Sequence, residues 1–304
     1  MTTPPALLLV GHGNHDDSAD ALQSLIAELG RRNPELPVAG GLGKQSPPPL
    51  TDVVARLTDT GASQVVALPL TLGVPGGTVQ DLRNALEREA EQHEDVSYAC
   101  ARPLGTEPAL LRLLEQRLDE ALGSGGRTPA DRAATTVLLV GRGTSDPAAN
   151  AELHRAARLL WEGSGYGGVE TAFVNQAAPD VASGLDRCVA LGARRVIVLP
   201  YFLFPGALPE RVRLQTDGWA AVHPDTDVVT ADVVGPGEAL AELVEERYRE
   251  AVAESSTRRC SRCGTVAGPG TAAGRSAADA AGTAEDGSPA ERHSCGADDP
   301  RADD

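Results

Sequence analysis

One stretch of this chain occurs twice. Leu8-Leu-Val-Gly11-His12-Gly13-Asn14-His15-Asp16-Asp17 returns 130 positions later as Leu138-Leu-Val-Gly141-Arg142-Gly143-Thr144-Ser145-Asp146-Pro147. Gly61-Ala62 with Val65-Val-Ala-Leu-Pro69-Leu70 returns as Gly192-Ala193 with Val196-Ile-Val-Leu-Pro200-Tyr201. Pro48 falls on Pro179, His93 on His223 and Gly105 on Gly235, all in the same order. A long internal period decides architecture before any local propensity does. The chain reads as two copies of one domain with almost no insertion between equivalent points, and 304 residues suffice for two domains.

Each copy alternates strand and helix patterns. Ala6–Val10 is a continuous apolar run, as a strand buried on both faces requires. Ser18–Arg31 has helical spacing through Leu22, Leu25, Ile26 and Leu29. Val38–Leu42 reads as a Gly-rich strand, Leu50–Asp59 as a helix, Gln64–Leu70 as a strand, Val79–Glu91 as a charged helix, Val96–Ala101 as a strand and Pro108–Leu122 as a helix. Copy two repeats the order through Val137–Val140, Asn150–Trp161, Val169–Val174, Val181–Leu191, Arg195–Tyr201, a helical region around Glu210–Ala221, Asp227–Val233 and Ala239–Ala253. Alternation of this kind predicts an α/β fold with parallel sheets flanked by helices. The expected boundaries are 1–122 and 135–254 for the copies, 123–134 for a Gly- and Thr-rich linker, and 255–304 for a tail. That tail is Ala-, Gly-, Ser- and Asp-rich with almost no large apolar residue, and disorder is expected there.

Composition removes several functions. Lys and Arg number 27 against 43 Asp and Glu, a formal net charge of −16. Non-specific nucleic-acid binding and docking on anionic lipid both need basic surface, so neither partner is expected. No apolar run approaches the ~20 residues of a membrane span, and no signal segment is read at the start. A cytoplasmic protein is expected. Five cysteines, an odd number spread over a long chain, do not make a disulfide scaffold. Cys100 and Cys188 lie in apolar segments and read as buried.

In open parallel sheets ligands bind beyond the carboxyl ends of the strands. Gly11-His12-Gly13 follows the first strand directly, and its glycines leave the imidazole reachable. A loop histidine bonded to backbone reads equally well from position. His15, Asp16 and Asp17 add candidate metal ligands, while Asp16 or Asp17 also suits the start of the Ser18 helix. The loop after Leu70 carries Gly76 and Gly77, which can approach a ligand or bind an anion. Its copy-two counterpart, Phe202–Leu208, precedes Arg211 and Arg213, which suit carboxylates or a solvated helix face.

At these residues the chain resembles the two-repeat CbiX-type sirohydrochlorin cobaltochelatases of the class II chelatase superfamily. The resemblance covers about residues 5–254. It rests on Leu7-Leu-Leu-Val-Gly-His-Gly13 and Pro103-Leu-Gly105 in copy one. In copy two it rests on Leu138–Pro147, Ala157–Glu162, Arg194–Phe204 and Glu246–Ala251. It implies two chelatase-like, flavodoxin-like domains with a tetrapyrrole pocket between them. It implies insertion of Co²⁺, or Fe²⁺, as substrate into sirohydrochlorin for cobalamin or siroheme synthesis, without an organic cofactor. It implies His12 as metal ligand and proton acceptor, and Gly11, Gly13, Gly76, Gly77, Arg142 and Thr144 as the substrate-side residues. The family's second histidine falls on Gly77 and its glutamate on Lys44, whereas Asp81 keeps a family aspartate. His15, Asp16 and Asp81 are then the groups left to supplement His12. The alternative these departures raise is a non-catalytic tetrapyrrole- or metal-binding protein that keeps the fold. Cys260-Ser-Arg-Cys263 has the spacing of a metal knuckle, with His293 and Cys295 as candidate partners. Zn²⁺, an iron–sulfur cluster, redox handling or metal delivery would suit it, although the long low-complexity gap argues against a preformed site. One chain holds two copies, so either a monomer or a homodimer satisfies the reading.

Overall fold

Both sheets are built from runs too apolar to face water on either side. β1 (Ala6–Gly11) is buried along its whole length, and the equivalent strand β5 (Thr135–Gly141) at all but Thr136. A computed structural model describes residues 4–11, 16–42, 50–72, 84, 86, 96–123 and 128–258. In copy one β1 pairs with β2 (Val38–Leu42) and β3 (Gln64–Pro69), and β3 pairs with β4 (Ser97–Cys100). All pairings are parallel, and the order is β2-β1-β3-β4. Copy two has the same arrangement: β5 lies between β6 (Gly168–Phe173) and β7 (Arg195–Pro200), and β8 (Asp227–Thr230) follows β7. In each sheet the strand order reverses beside the first strand. Those two crevices, at β1/β3 and β5/β7, are where doubly wound sheets hold ligands.

The outer face of each sheet closes on its own copy. Val53, Val54 and Leu57 of α2 (Leu50–Asp59) cover Ala6, Leu8 and Val10. In copy two Val181, Leu185 and Cys188 of α6 (Val181–Ala190), with Val212 and Trp219 of α7 (Ala207–Ala220), cover Leu138 and Val140. The inner faces do something different. Leu7 and Leu9 sit under Leu22, Leu25 and Leu29 of α1 (Asp16–Arg32), and Val137 and Leu139 under Leu153, Ala156 and Leu160 of α5 (Pro147–Trp161). Both sets belong to one continuous cluster.

Exchange of helices joins them. Copy one's last helix, α3 (Pro108–Leu122), packs on β7 and α5 of copy two. Copy two's last helix, α8 (Glu238–Arg258), packs on β3, β4 and α1 of copy one. Each buried leucine of these helices, such as Leu114 or Leu243, contributes roughly 1.5–3 kcal/mol to the cluster that the two copies share. Polar contacts follow the same crossing. Arg32 binds Glu245 at 2.8 Å and Glu238 at 2.9 Å, Arg117 donates to the Val234 carbonyl at 2.6 Å, and the Tyr248 phenol donates to the Pro5 carbonyl at 2.6 Å.

Two segments depart from the sequence reading. The linker contains a short helix, α4 (Pro129–Ala133), closed by a reciprocal cap between Thr128 and Asp131. The last helix continues past Ser255 to Arg258, with the Ser255 hydroxyl returning to the Ala251 carbonyl at 2.7 Å. Most of the Val79–Glu91 helix lies outside the described residues; within it Leu86 is helical and buried. The remaining tail lies outside them too. Among the described residues no helix is long and apolar enough to cross a membrane. Cys188 is buried, which pushes its thiol up to about 12, whereas Cys100 is only partly buried.

Candidate functional site

The carboxyl ends of the two switch-point strands carry equivalent turns. Gly11, buried, ends β1, and the Leu70 amide returns to the Val10 carbonyl at 2.9 Å just beyond β3. In copy two the Tyr201 amide makes the same bond to the Val140 carbonyl at 2.8 Å. His12, Gly13 and His15 follow Gly11 in sequence but lie outside the described residues, as do Lys44, Gly76, Gly77 and Asp81. Asp16 is the first residue of α1, so it and Asp17 occupy the first helical turn, where a carboxylate favours the helix dipole. Cys260, Cys263, His293 and Cys295 also lie outside the described residues. Among the described residues no group of three His, Cys, Asp or Glu side chains is placed to hold a metal ion.

Copy two's turn is described throughout. Arg142 is exposed just past the carboxyl end of β5, and it makes no ion pair among the described residues. Gly143, with φ +76°, lies so close to the next strand that a Cβ there would stand 1.8 Å from the Asn175 carbonyl oxygen. Only glycine fits, and the close approach sets Arg142 beside the exposed turn Asn175-Gln176. Gln176 itself takes φ 52°, a left-handed backbone that costs a non-glycine residue on the order of 1 kcal/mol and collects at ligand sites. Thr144 builds the turn. Its hydroxyl accepts from the Asp146 amide at 3.0 Å and donates to the Asp146 carbonyl at 3.2 Å. Its amide and carbonyl are both held by the Asn150 side chain, at 3.0 and 2.8 Å. Asp146 then caps α5 through the Ala148 amide. Arg213 is committed elsewhere, to Glu210 and Asp217 on its own exposed helix.

Two contacts that sequence reasoning did not anticipate join the edges of the two sheets. The Tyr201 phenol donates to the Leu72 carbonyl at 2.9 Å, and the Ser18 hydroxyl donates to the Pro205 carbonyl at 2.8 Å. Burial pushes the Tyr201 phenol up to about 12, against the pull of the Thr106 hydroxyl, so it stays protonated and donates. A separate cavity of about 410 Å³ lies between α3 and α8, walled by Arg32, Arg112, Glu242 and Arg249. Its walls are helix faces and not strand ends, and its charges are mixed.

Two parallel sheets, each with a ligand crevice, joined by exchanged helices and bridged at their carboxyl edges, define a duplicated α/β protein of the chelatase type. The chain belongs to the CbiX family, whose profile matches residues 6–121 and again 136–251. It is 30% identical over 258 residues to the sirohydrochlorin cobaltochelatase of Priestia megaterium, covering 85% of this chain and 83% of that one. It is 25% identical over 252 residues to the sirohydrochlorin ferrochelatase of the same organism, covering 80% and 89%. The solved structure of SirB from Bacillus subtilis with Fe³⁺ superposes with a TM-score of 0.70 at 20% identity, covering 85% of this chain and 98% of that one.

Proposed function

We propose that this chain inserts a divalent metal, Co²⁺ or Fe²⁺, into sirohydrochlorin. The observation that carries the reading is positional. His12 directly follows the buried end of β1 at a topological switch point, within a fold whose relatives over most of both chains are named sirohydrochlorin chelatases. The macrocycle lies in the cleft between the copies, presenting its carboxylate arms to Arg142 and its ring nitrogens to copy one. The exposed Arg142 guanidinium, which makes no ion pair among the described residues, suits a carboxylate bidentately, and Thr144 acts through the turn that sets it.

The chemistry is a proton-for-metal exchange. Neutral His12 carries M²⁺ on its imidazole nitrogen. As the ring nitrogens take the metal, two pyrrole protons leave, and the freed imidazole accepts one of them while solvent takes the other. Gly77 and Lys44 provide no metal ligand of the family's kind, so His15, Asp16 and Asp81 complete the set in this proposal. Lys44 repels the divalent cation by Coulomb's law, though water weakens that repulsion to about 2 kcal/mol at 4 Å. Work in the cytoplasm, as one chain or as a homodimer, belongs to the same proposal.

The test is an anaerobic visible-spectrum assay with sirohydrochlorin and Co²⁺ or Fe²⁺. Insertion faster than without protein, lost in His12→Ala, is the expected result. Macrocycle binding with no acceleration would instead establish a carrier that keeps the fold.

A further inference from the structure

We propose that Gln176 grips, together with Arg142, one carboxylate arm of the macrocycle, and that copy two reads its substrate through this pair. The inference rests on the chelatase reading above. It concerns copy two alone, where the turns after β5 and β6 are both described. The two turns meet backbone to backbone, because Gly143 lies so close to the Asn175 carbonyl that no Cβ fits between them. Arg142 precedes that contact on one turn and Gln176 follows it on the other, and both are exposed. Neither side chain makes a hydrogen bond or an ion pair among the described residues.

Gln176 is held in a backbone conformation that suits another residue better. The Asn175 carbonyl accepts from the Ala177 amide at 2.6 Å, which makes a three-residue turn with Gln176 at its apex and φ 52°. A turn of this kind with positive φ is rare and strained. Every other left-handed residue among the described ones is a glycine, and a glycine would make this turn without strain. The turn is tied down on both sides. The Val174 amide bonds the Gly141 carbonyl at 2.9 Å, the Phe173 amide bonds the Pro179 carbonyl at 2.8 Å, and Ala177 packs against the shared core. Strain that the surroundings hold in place collects at ligand sites. No bond to the described protein accounts for a long carboxamide at this apex, whereas a bond to a ligand does.

The donor chemistry fits one carboxylate. Its two oxygens offer about four acceptor positions, and a bidentate guanidinium uses two of them. The Gln176 carboxamide N–H fills a third without adding a second cation. A site that donates to a substrate group in this way also rejects an analogue that lacks the group. Gln176 is thus a binding residue that sharpens recognition of the arm, while Arg142 supplies the charge.

Two variants of the full chain test this. Gln176→Gly removes the carboxamide and relieves the turn. Gln176→Glu keeps the shape but puts an anion there, which repels the arm and occupies Arg142. The probe is metal-free sirohydrochlorin, titrated anaerobically by its visible spectrum. Gln176→Gly should raise its Kd about tenfold, and Gln176→Glu should raise it further. Gln176→Gly should also melt at or above the wild-type temperature, which a residue needed only to build the turn would not do. Combined with Arg142→Gln, the loss should be smaller than the product of the two single losses, because both groups hold the same carboxylate. Wild-type Kd in both Gln176 variants overturns the proposal. Weaker binding with a lowered melting temperature in Gln176→Gly overturns it too, by making the residue part of the turn's structure. Losses that multiply overturn the shared carboxylate. A wild-type protein that binds sirohydrochlorin but inserts no metal refutes the chelatase reading instead, and the Kd comparison then decides the grip alone. A wild-type protein that does not bind sirohydrochlorin overturns both.

Discussion

Gly11 and Gly141 end equivalent strands in equivalent sheets, yet the next residue is a histidine in one copy and an arginine in the other. The buried strand and its closing glycine are common to both. What differs is the chemistry placed there: a group that can bind a metal and take a proton, against a fixed cation that can do neither. Duplication supplied two equivalent positions, and divergence put different side chains at them, since fold alone does not assign function. The largest expected effect comes from erasing that difference. His12→Arg makes the two turns alike and should lower metal insertion by about 10²–10⁴-fold, the range for loss of a proton-transferring group. Arg142→His in the same chain should not restore it, because copy two has Ser145 where copy one has His15. Recovery of turnover in that double variant would show the copies to be interchangeable.

The second comparison is between the faces of the sheets. Leu243 on α8 lies in the cluster shared by both copies, whereas Leu185 on α6 lies under copy two's outer face alone. Either leucine cut to alanine should cost roughly 2–5 kcal/mol. Leu243→Ala should lower the melting of both copies in a single transition. Leu185→Ala should loosen copy two first, visible as earlier hydrogen exchange in β5–β8 than in β1–β4. Identical patterns from the two variants would mean that the shared core does not couple the copies.

How much of this was legible in sequence depended on distance along the chain. The buried strands were plain, because Leu7–Val10 and Val196–Leu199 have no polar alternation. Helix positions followed from spacing. Which sheet a helix covers did not, because Leu110, Leu114 and Leu118 present the same apolar stripe to either sheet. The short helix at Pro129 was missed although its Thr128–Asp131 cap is a local signal, because Gly and Thr around it read as linker. Ser255-Ser-Thr read as tail by composition, yet those residues extend a helix already formed. At the site, Gly11-His12-Gly13 and Arg142 stood out because glycines flank them. Tyr201 and Ser18 did not, since their partners lie 129 and 187 residues away and no local pattern records them.

A smaller effect tests the carboxylate side. Arg142→Gln removes the charge and keeps a hydrogen-bonding side chain at the same turn. A charge-assisted bond is worth about 1.5–3 kcal/mol, so KM for sirohydrochlorin should rise roughly ten- to a hundredfold while kcat stays within about twofold. A fall in kcat at unchanged KM would move Arg142 from substrate binding to the metal side, and the division of labour between the copies would fail.

The smallest expected effect concerns the pair of carboxylates that the repeat makes equivalent. Arg117 and Glu120 on α3 correspond to Arg247 and Glu250 on α8, and each pair is bonded within its helix. Glu250 also reaches across the copies, to Arg102 at 3.0 Å. Its Arg247 partner is almost fully buried and lies 3.6 Å from Glu107 of copy one. Burial raises the Glu250 carboxyl, but hydrogen bonds from Arg247 and Arg102 outweigh it and hold the group below its ordinary value of 4.5. A carboxylate depressed in the folded state adds stability above the unfolded pKa and loses it as pH falls through the folded one. The melting temperature should therefore drop as pH falls below about 4.5, and part of that drop should vanish in Glu250→Gln. Glu250 is about a third exposed, so solvent screening keeps the effect small. Glu120→Gln should flatten the acid limb less, because Glu120 is the more exposed of the two. Equal flattening by the two variants would mean that the contact with Arg102 across the copies adds nothing, and that the exchanged helices are joined by their apolar faces alone.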